Sequence, residues 1–106
     1  MELKQCGRSG LYLSALGLGT LTWGRDTDGP EAHDMLKAFV DAGGNLVECS
    51  PAHGDGTAVD VLSEGLSSIG RHRVALVWRG AVRRAVEGTW VSAAGRGDLL
   101  RSLDDA

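Results

Sequence analysis

The sequence predicts an α/β protein: a short N-terminal β-hairpin followed by βα units laid side by side as a parallel sheet. Three observations predict it. Two short alternating runs flank a glycine-bounded turn at the start of the chain. Apolar runs of strand length recur at 15–20, 45–48 and 74–78. Between those runs the apolar residues switch to a helical period and stop at glycine, and strands alternating with helices point to parallel pairing through right-handed crossovers.

The hairpin comes from Glu2-Leu3-Lys4-Gln5-Cys6 and Leu11-Tyr12-Leu13-Ser14, which alternate on either side of Gly7-Arg8-Ser9-Gly10. Ala15 to Thr20 suits a buried strand, with Gly17 and Gly19 permitting close approach from the opposite side. Trp23 to Gly29 is a loop. Pro30 fits a first helical position and Glu31 complements the helix dipole; Ala32, Met35, Leu36, Phe39 and Val40 then repeat at helical spacing until Gly43-Gly44. Asn45-Leu46-Val47-Glu48 forms a second strand and Cys49 to Gly56 a loop. A second amphipathic helix carries Ala58, Val61, Leu62, Gly65, Leu66 and Ile69 on one face and stops at Gly70. Val74 to Trp78 is a third strand, Arg79 to Gly97 has no clear period and is expected to be a loop, and Asp98 to Asp104 opens a third helix. Residues 1–14 are thus the hairpin and 15–106 the βα units of one domain. Both doubly wound sheets and closed barrels begin this way.

Composition bounds the rest. A chain of 106 residues builds one core, and 42% apolar with 24% charged residues is ordinary for a globular domain. Sixteen glycines are about twice the average usage, so turns or close backbone contacts are numerous. The net charge of −3 and the absence of long charge runs give no footprint for nucleic acid or an anionic membrane. No apolar run has the length of a membrane span, and the start lacks a signal-peptide core, so the cytoplasm is the expected compartment. Cys6 and Cys49 lack metal-ligand spacing and are expected to be reduced.

Three segments, Leu3 to Leu11, Ser14 to Gly24 and Ala42 to Glu48, resemble in order and spacing the N-terminal portion of bacterial aldo-keto reductases. The resemblance implies a (β/α)₈ TIM barrel and NADPH-dependent reduction of carbonyl compounds. A full barrel needs ~250 residues, so the chain would supply about three of the eight strands, a partial barrel inactive on its own. In the family, an aspartate ending the second strand, a tyrosine a few residues later, a lysine ending the third strand and a histidine ending the fourth form the catalytic set. The tyrosine donates a proton to the carbonyl, and the lysine and aspartate adjust its acidity. Glu48, His53 and Arg79 fall at the first three positions, and the fourth lies beyond Ala106. The resemblance further assigns Gly19, Thr20, Leu21 and Glu48 to the early cofactor contacts and Trp23 to the substrate-lining aromatic.

Each replacement has a chemical reading. Glu48 keeps the carboxylate one methylene further out, and ~1 Å of misplacement already costs on the order of 10²-fold in rate. An imidazole with an ordinary pKa near ~6.5 suits His53 to general acid work. Arg79, always charged, lowers the proton affinity of a neighbouring imidazolium. A loop rim free of catalytic constraint is the other reading of the same three residues. Cys49 with His53 is a candidate nucleophile and base, and Glu48, His53 and Asp55 a generic metal set. Gly17-Leu18-Gly19 lacks the third spaced glycine of a dinucleotide fingerprint. His33 and His72 read as surface residues. An incomplete barrel leaves sheet edges along 15–20 and 74–78, so self-association or capture of a protein partner is expected, making an assembly-dependent module one alternative. An enzyme of different acid/base chemistry using Glu48 and His53 is another.

Overall fold

Alternation at the N-terminus is realised as β1 (Leu3–Gln5) and β2 (Tyr12–Ser14), paired antiparallel with Leu3 opposite Ser14. The computed structural model describes all 106 residues. Cys6 N–H donates to Leu11 O at 2.7 Å to close the turn, and Gly7 sits in the left-handed region at φ 58°, where a residue without Cβ is least strained. Asn45 ties this hairpin to the sheet. Its Oδ1 accepts from Ser14 N–H at 2.7 Å and its Nδ2 donates to Tyr12 O at 2.8 Å.

The sheet is β3 (Gly17–Gly19), β4 (Leu46–Cys49) and β5 (Ala75–Trp78), all parallel, in sequential order. β3 is shorter than the expected 15–20 and is an edge strand rather than a buried one: a sheet edge has a neighbour on one side only, and its flanking Leu16 and Leu21 stay exposed. β4 begins one residue later than expected because the side chain and amide of Asn45 are used to hold the hairpin.

Helix α1 (Gly29–Asp41) begins where Asp28 caps it, accepting from Glu31 N–H at 2.9 Å, with Pro30 in the first turn. Helix α2 (Ala58–Ile69) ends at Gly70, φ 103°, whose N–H donates to Leu66 O at 2.8 Å. Ala32, Leu36 and Val40 of α1 join Ala58, Leu62 and Leu66 of α2 in one buried cluster with Val47. Both helices therefore cover the same face of the sheet. Sequential strand order with helices on one face is the opening of a (β/α) barrel and not of a doubly wound sheet, which places helices on both faces. By register, Leu18, Val47 and Leu76 point to the helices, whereas Gly19, Glu48 and Val77 point to the open face.

Two expectations are corrected. His33 is part-buried between the helices, its Nε2 2.9 Å from Val61 O, where Gly65 allows its approach. A carbonyl only accepts, so Nε2 carries the hydrogen. Second, 79–97 is not a featureless loop: β6 (Val82–Arg84) and β7 (Trp90–Ser92) form an antiparallel hairpin. Three-residue strands are too short to show a period. Pairing is held instead by the Arg84 guanidinium over the Trp90 ring, 4.5 Å from its centroid, and by Ala85 N–H to Thr89 O at 2.7 Å across a turn with Gly88 at φ 93°. Helix α3 (Arg96–Asp105) follows, starting two residues before the expected Asp98. No helix is long and apolar enough to cross a membrane.

Candidate active site

Parallel register brings the ends of the three strands level, Gly19 beside Glu48 and Cys49 beside Trp78. The residues just beyond those ends, Thr20, Ser50 to His53 and Arg79, therefore meet at the carboxyl edge of the sheet, where α/β proteins commonly place their chemistry. Arg79 N–H donates to Cys49 O at 2.8 Å, which fixes its backbone beside β4.

The three residues singled out from the sequence converge. Arg79 Nη1 donates to Glu48 Oε1 at 3.3 Å, and His53 Nε2 lies 3.9 Å from the same oxygen. That second distance is too long for a hydrogen bond but short enough for strong electrostatic coupling. His53 is only 6% exposed. Its Nδ1 is 3.0 Å from Thr20 Oγ1, and Thr20 Oγ1 donates its one hydrogen to Glu48 O at 3.1 Å. The hydroxyl can then only accept from the ring, so Nδ1 carries a hydrogen and Nε2 is the position open to change. Burial lowers the His53 pKa from its ordinary value; Glu48 opposes that shift and the Arg79 charge adds to it.

The turn presenting His53 is unusual. His53–Gly56 is a 3₁₀ turn in which Gly54, Asp55 and Gly56 all have left-handed backbones, φ 61°, 54° and 97°. Gly54 N–H donates to Leu21 O at 2.7 Å, and a Cβ at Gly54 would stand 1.9 Å from Trp23 O. Only glycine fits there. Thr57 Oγ1, 2.6 Å from Gly54 O, secures the turn from the helix side.

The other assigned residues divide. Gly19 is exposed and Leu21 63% exposed beside the site, while Thr20 is fully buried with its hydroxyl already engaged. Trp23 is 1% exposed and packs in the core beneath the Gly54 turn, so in this structure its ring lines no cleft. Cys49 is buried, its thiol pushed up by burial and directed at Ser50 O, which leaves no activated thiolate for His53. Asp55 Oδ1 accepts from Trp90 Nε1 at 2.9 Å and does not join Glu48 and His53. Sequence reasoning missed two things: Thr20 as the group that sets the His53 tautomer, and the Asp55–Trp90–Arg84 cluster. A hydroxyl following a strand was visible for the first; nothing in the pattern signalled the second.

A recess of about 200 Å³ on the open sheet face is lined by Gly17, Leu18, Gly19, Leu46, Glu48 and Val77. Sites for drug-sized ligands and cofactors run to ~300–1,000 Å³. The recess is smaller than such sites. An apolar groove of about 410 Å³ between α2 and β5 lies on the helix face and takes no part in the polar cluster.

Residues 15–105 match the family model for the aldo/keto reductase family. Two plant proteins are similar in sequence: "probable voltage-gated potassium channel subunit beta" of Oryza sativa subsp. japonica, 34% identical over 69% of this chain, and its namesake in Arabidopsis thaliana, 30% identical over 73%. The chain spans about a quarter of the length of these curated relatives, 23% and 24%. Among solved structures, a "putative aldo-keto reductase" from Pseudomonas aeruginosa superposes with a TM-score of 0.83 at 31% identity, over 97% of this chain and 39% of its own. The holo form of one from Bacillus halodurans superposes at 0.81 and 22% identity, over 99% and 35%, a likeness of fold. The fold is accordingly part of a (β/α)₈ barrel.

Proposed function

The chain belongs to the aldo/keto reductase family, and from that premise we propose that it carries the opening units of a carbonyl-oxidoreductase barrel whose proton-handling corner is built from Glu48, His53 and Arg79. We further propose that these units alone sustain no NADPH-linked turnover. The observation behind the reading is the meeting of the three substituted positions within 3.9 Å at the carboxyl ends of β4 and β5. As imidazolium, His53 gives the Nε2 proton to a substrate oxygen, and the neutral ring left behind is the Nδ1–H tautomer that Thr20 already accepts from. No ring rearrangement follows the transfer. Burial and the Arg79 charge make the imidazolium a stronger acid, and the Glu48 carboxylate moderates the effect.

The fourth position of the family set lies outside these residues, and Gly19, Thr20, Leu21 and Glu48 supply only the early cofactor contacts. NADPH should therefore bind no tighter than about 1 mM, equivalent to about 4 kcal/mol. The purified chain, mixed with NADPH and simple aldehydes or ketones, is expected to show no oxidation, and cofactor fluorescence no saturation in the micromolar range. Reproducible turnover would overturn the proposed inactivity, and turnover that survives the Glu48→Ala, His53→Ala double variant would overturn the proton-handling corner as well.

A second reading, an assembly-dependent module, is favoured by the sheet itself. β3 and β5 are both edges, and Leu99, Leu100 and Leu103 of α3 are exposed. Unpaired strand edges beside apolar surface favour association with a second copy or with a larger family member.

A further inference from the structure

The turn that presents His53 is held from two sides. On the inner side are Leu21 O, Trp23 and Thr57. On the outer side is the β6–β7 hairpin, to which neither the family match nor the proton-handling reading gives any role. Arg84 Nη2 donates to Asp55 O at 2.7 Å and reaches Asp55 Oδ1 at 3.2 Å, while Arg84 Nη1 donates to Gly88 O at 2.9 Å within the hairpin's own turn. Trp90 Nε1 donates to Asp55 Oδ1 at 2.9 Å, and the guanidinium lies over the Trp90 ring. Gly56 makes room, since a Cβ there would stand 3.2 Å from Arg84 Nη2 and 3.6 Å from Trp90 Cζ2.

Asp55 needs such a grip. It is one of two non-glycine residues of the chain with positive φ, and the left-handed region costs an L-residue roughly 1–2 kcal/mol, less for Asp. A single exposed ion pair offsets little of that. Here donors from two different strands seize both the backbone and the side chain of one residue, two positions after His53. The same contacts hold the Asp55 carboxyl below its ordinary range, the Trp90 hydrogen bond first and the Arg84 charge next.

We propose that the β6–β7 hairpin is a latch that positions His53, with Arg84 and Trp90 as positioning residues acting through Asp55. This rests on the reading of His53 as the proton-handling group. Released from the latch, Asp55 leaves the left-handed region, the turn rotates, and the His53 ring loses its alignment with Thr20.

The test uses the full chain with ¹⁵N-labelled histidine and reads the ratio of Nδ1–H to Nε2–H tautomers of His53 by NMR. In the Arg84→Gln, Trp90→Phe double variant the ratio should fall about fivefold, the factor set by one hydrogen bond of typical net strength. Asp55→Asn keeps the backbone oxygen and the side-chain Oδ1 that the hairpin grips and should keep the ratio. If the double variant loses cooperative unfolding, Trp90→Phe alone, which retains the ring beneath Arg84 and removes only the Nε1 donor, should move the ratio in the same direction by less. An unchanged ratio in a folded variant overturns the latch. That result is distinct from failure of the reading of His53 as the proton-handling group, which shows as turnover that survives His53→Ala and leaves the tautomer ratio of the unsubstituted chain untouched.

Discussion

Thr20→Val isolates the hydroxyl on which the site is organised. The side chain is fully buried, and valine preserves its shape while deleting Oγ1. Two interactions go: the hydrogen bond donated to Glu48 O, worth about 1 kcal/mol net, and the acceptor for His53 Nδ1–H, whose buried donor left without a partner costs about 1–3 kcal/mol. The total, about 2–4 kcal/mol, is a large part of the stability of a domain this size, on the order of 5–15 kcal/mol. Urea unfolding followed by circular dichroism should show a lower midpoint with an unchanged slope. Thr20→Ser keeps the oxygen and loses one methyl, so it should cost only about 1 kcal/mol. The reasoning is refuted if the valine variant unfolds with the wild type, or if serine costs as much as valine, because packing rather than the hydroxyl would then be what Thr20 supplies.

Stability should fall on acidification in two separate windows. The folded His53 pKa lies below 6.5, so the unfolded chain binds more protons between the two values; the contribution is complete above about pH 6.5 and is lost as pH drops toward the folded value, and His53→Gln should flatten that limb of a stability–pH curve. The lowered carboxyls of Asp41 and Asp55 act only below about pH 3.8, a limb that His53→Gln should leave in place. Gly54→Ala combines a left-handed backbone with a Cβ 1.9 Å from Trp23 O, so it should cost about 3 kcal/mol or more in thermal unfolding; a near-neutral result would mean that the turn is not held as described. Light scattering across a concentration series should show mass above that of one chain, reduced by Val77→Lys on the open face of edge strand β5, where Val77 is 42% exposed; a concentration-independent monomer that unfolds cooperatively would remove the assembly reading.

The elements legible in the sequence are those whose residues repeat. Ala32, Leu36 and Val40, or Ala58, Leu62 and Leu66, recur at the spacing of a helix face, and the glycines that end those helices have the positive φ that only glycine accepts readily. β6 and β7 repeat nothing: each is three residues long, and beyond the backbone ladder and its turn the contact that marks them is one arginine over one tryptophan. His33 was misplaced for a related reason, since its position beside the apolar stripe leaves open whether a small residue such as Gly65 opposite will admit it.

The site divides along the same line. Parallel strands joined by helical crossovers bring the residues following each strand to one edge of the sheet, so Thr20, Glu48 and Arg79 share that edge once the three strand ends are located. Short apolar runs located those ends to within a residue, and Arg79, placed by the family resemblance on approximate spacing, lies against Glu48 at 3.3 Å. The direction in which each group faces is set by single contacts instead: a Thr20 hydroxyl whose one hydrogen is already donated, and an Asp55 carboxylate gripped by a hairpin 29 and 35 residues away. Pattern in the sequence thus determines which residues can meet, and individual hydrogen bonds determine which proton is free to move. In this chain the contact that decides it is the one between Thr20 Oγ1 and His53 Nδ1, which leaves Nε2 as the ring nitrogen that can gain or lose a proton.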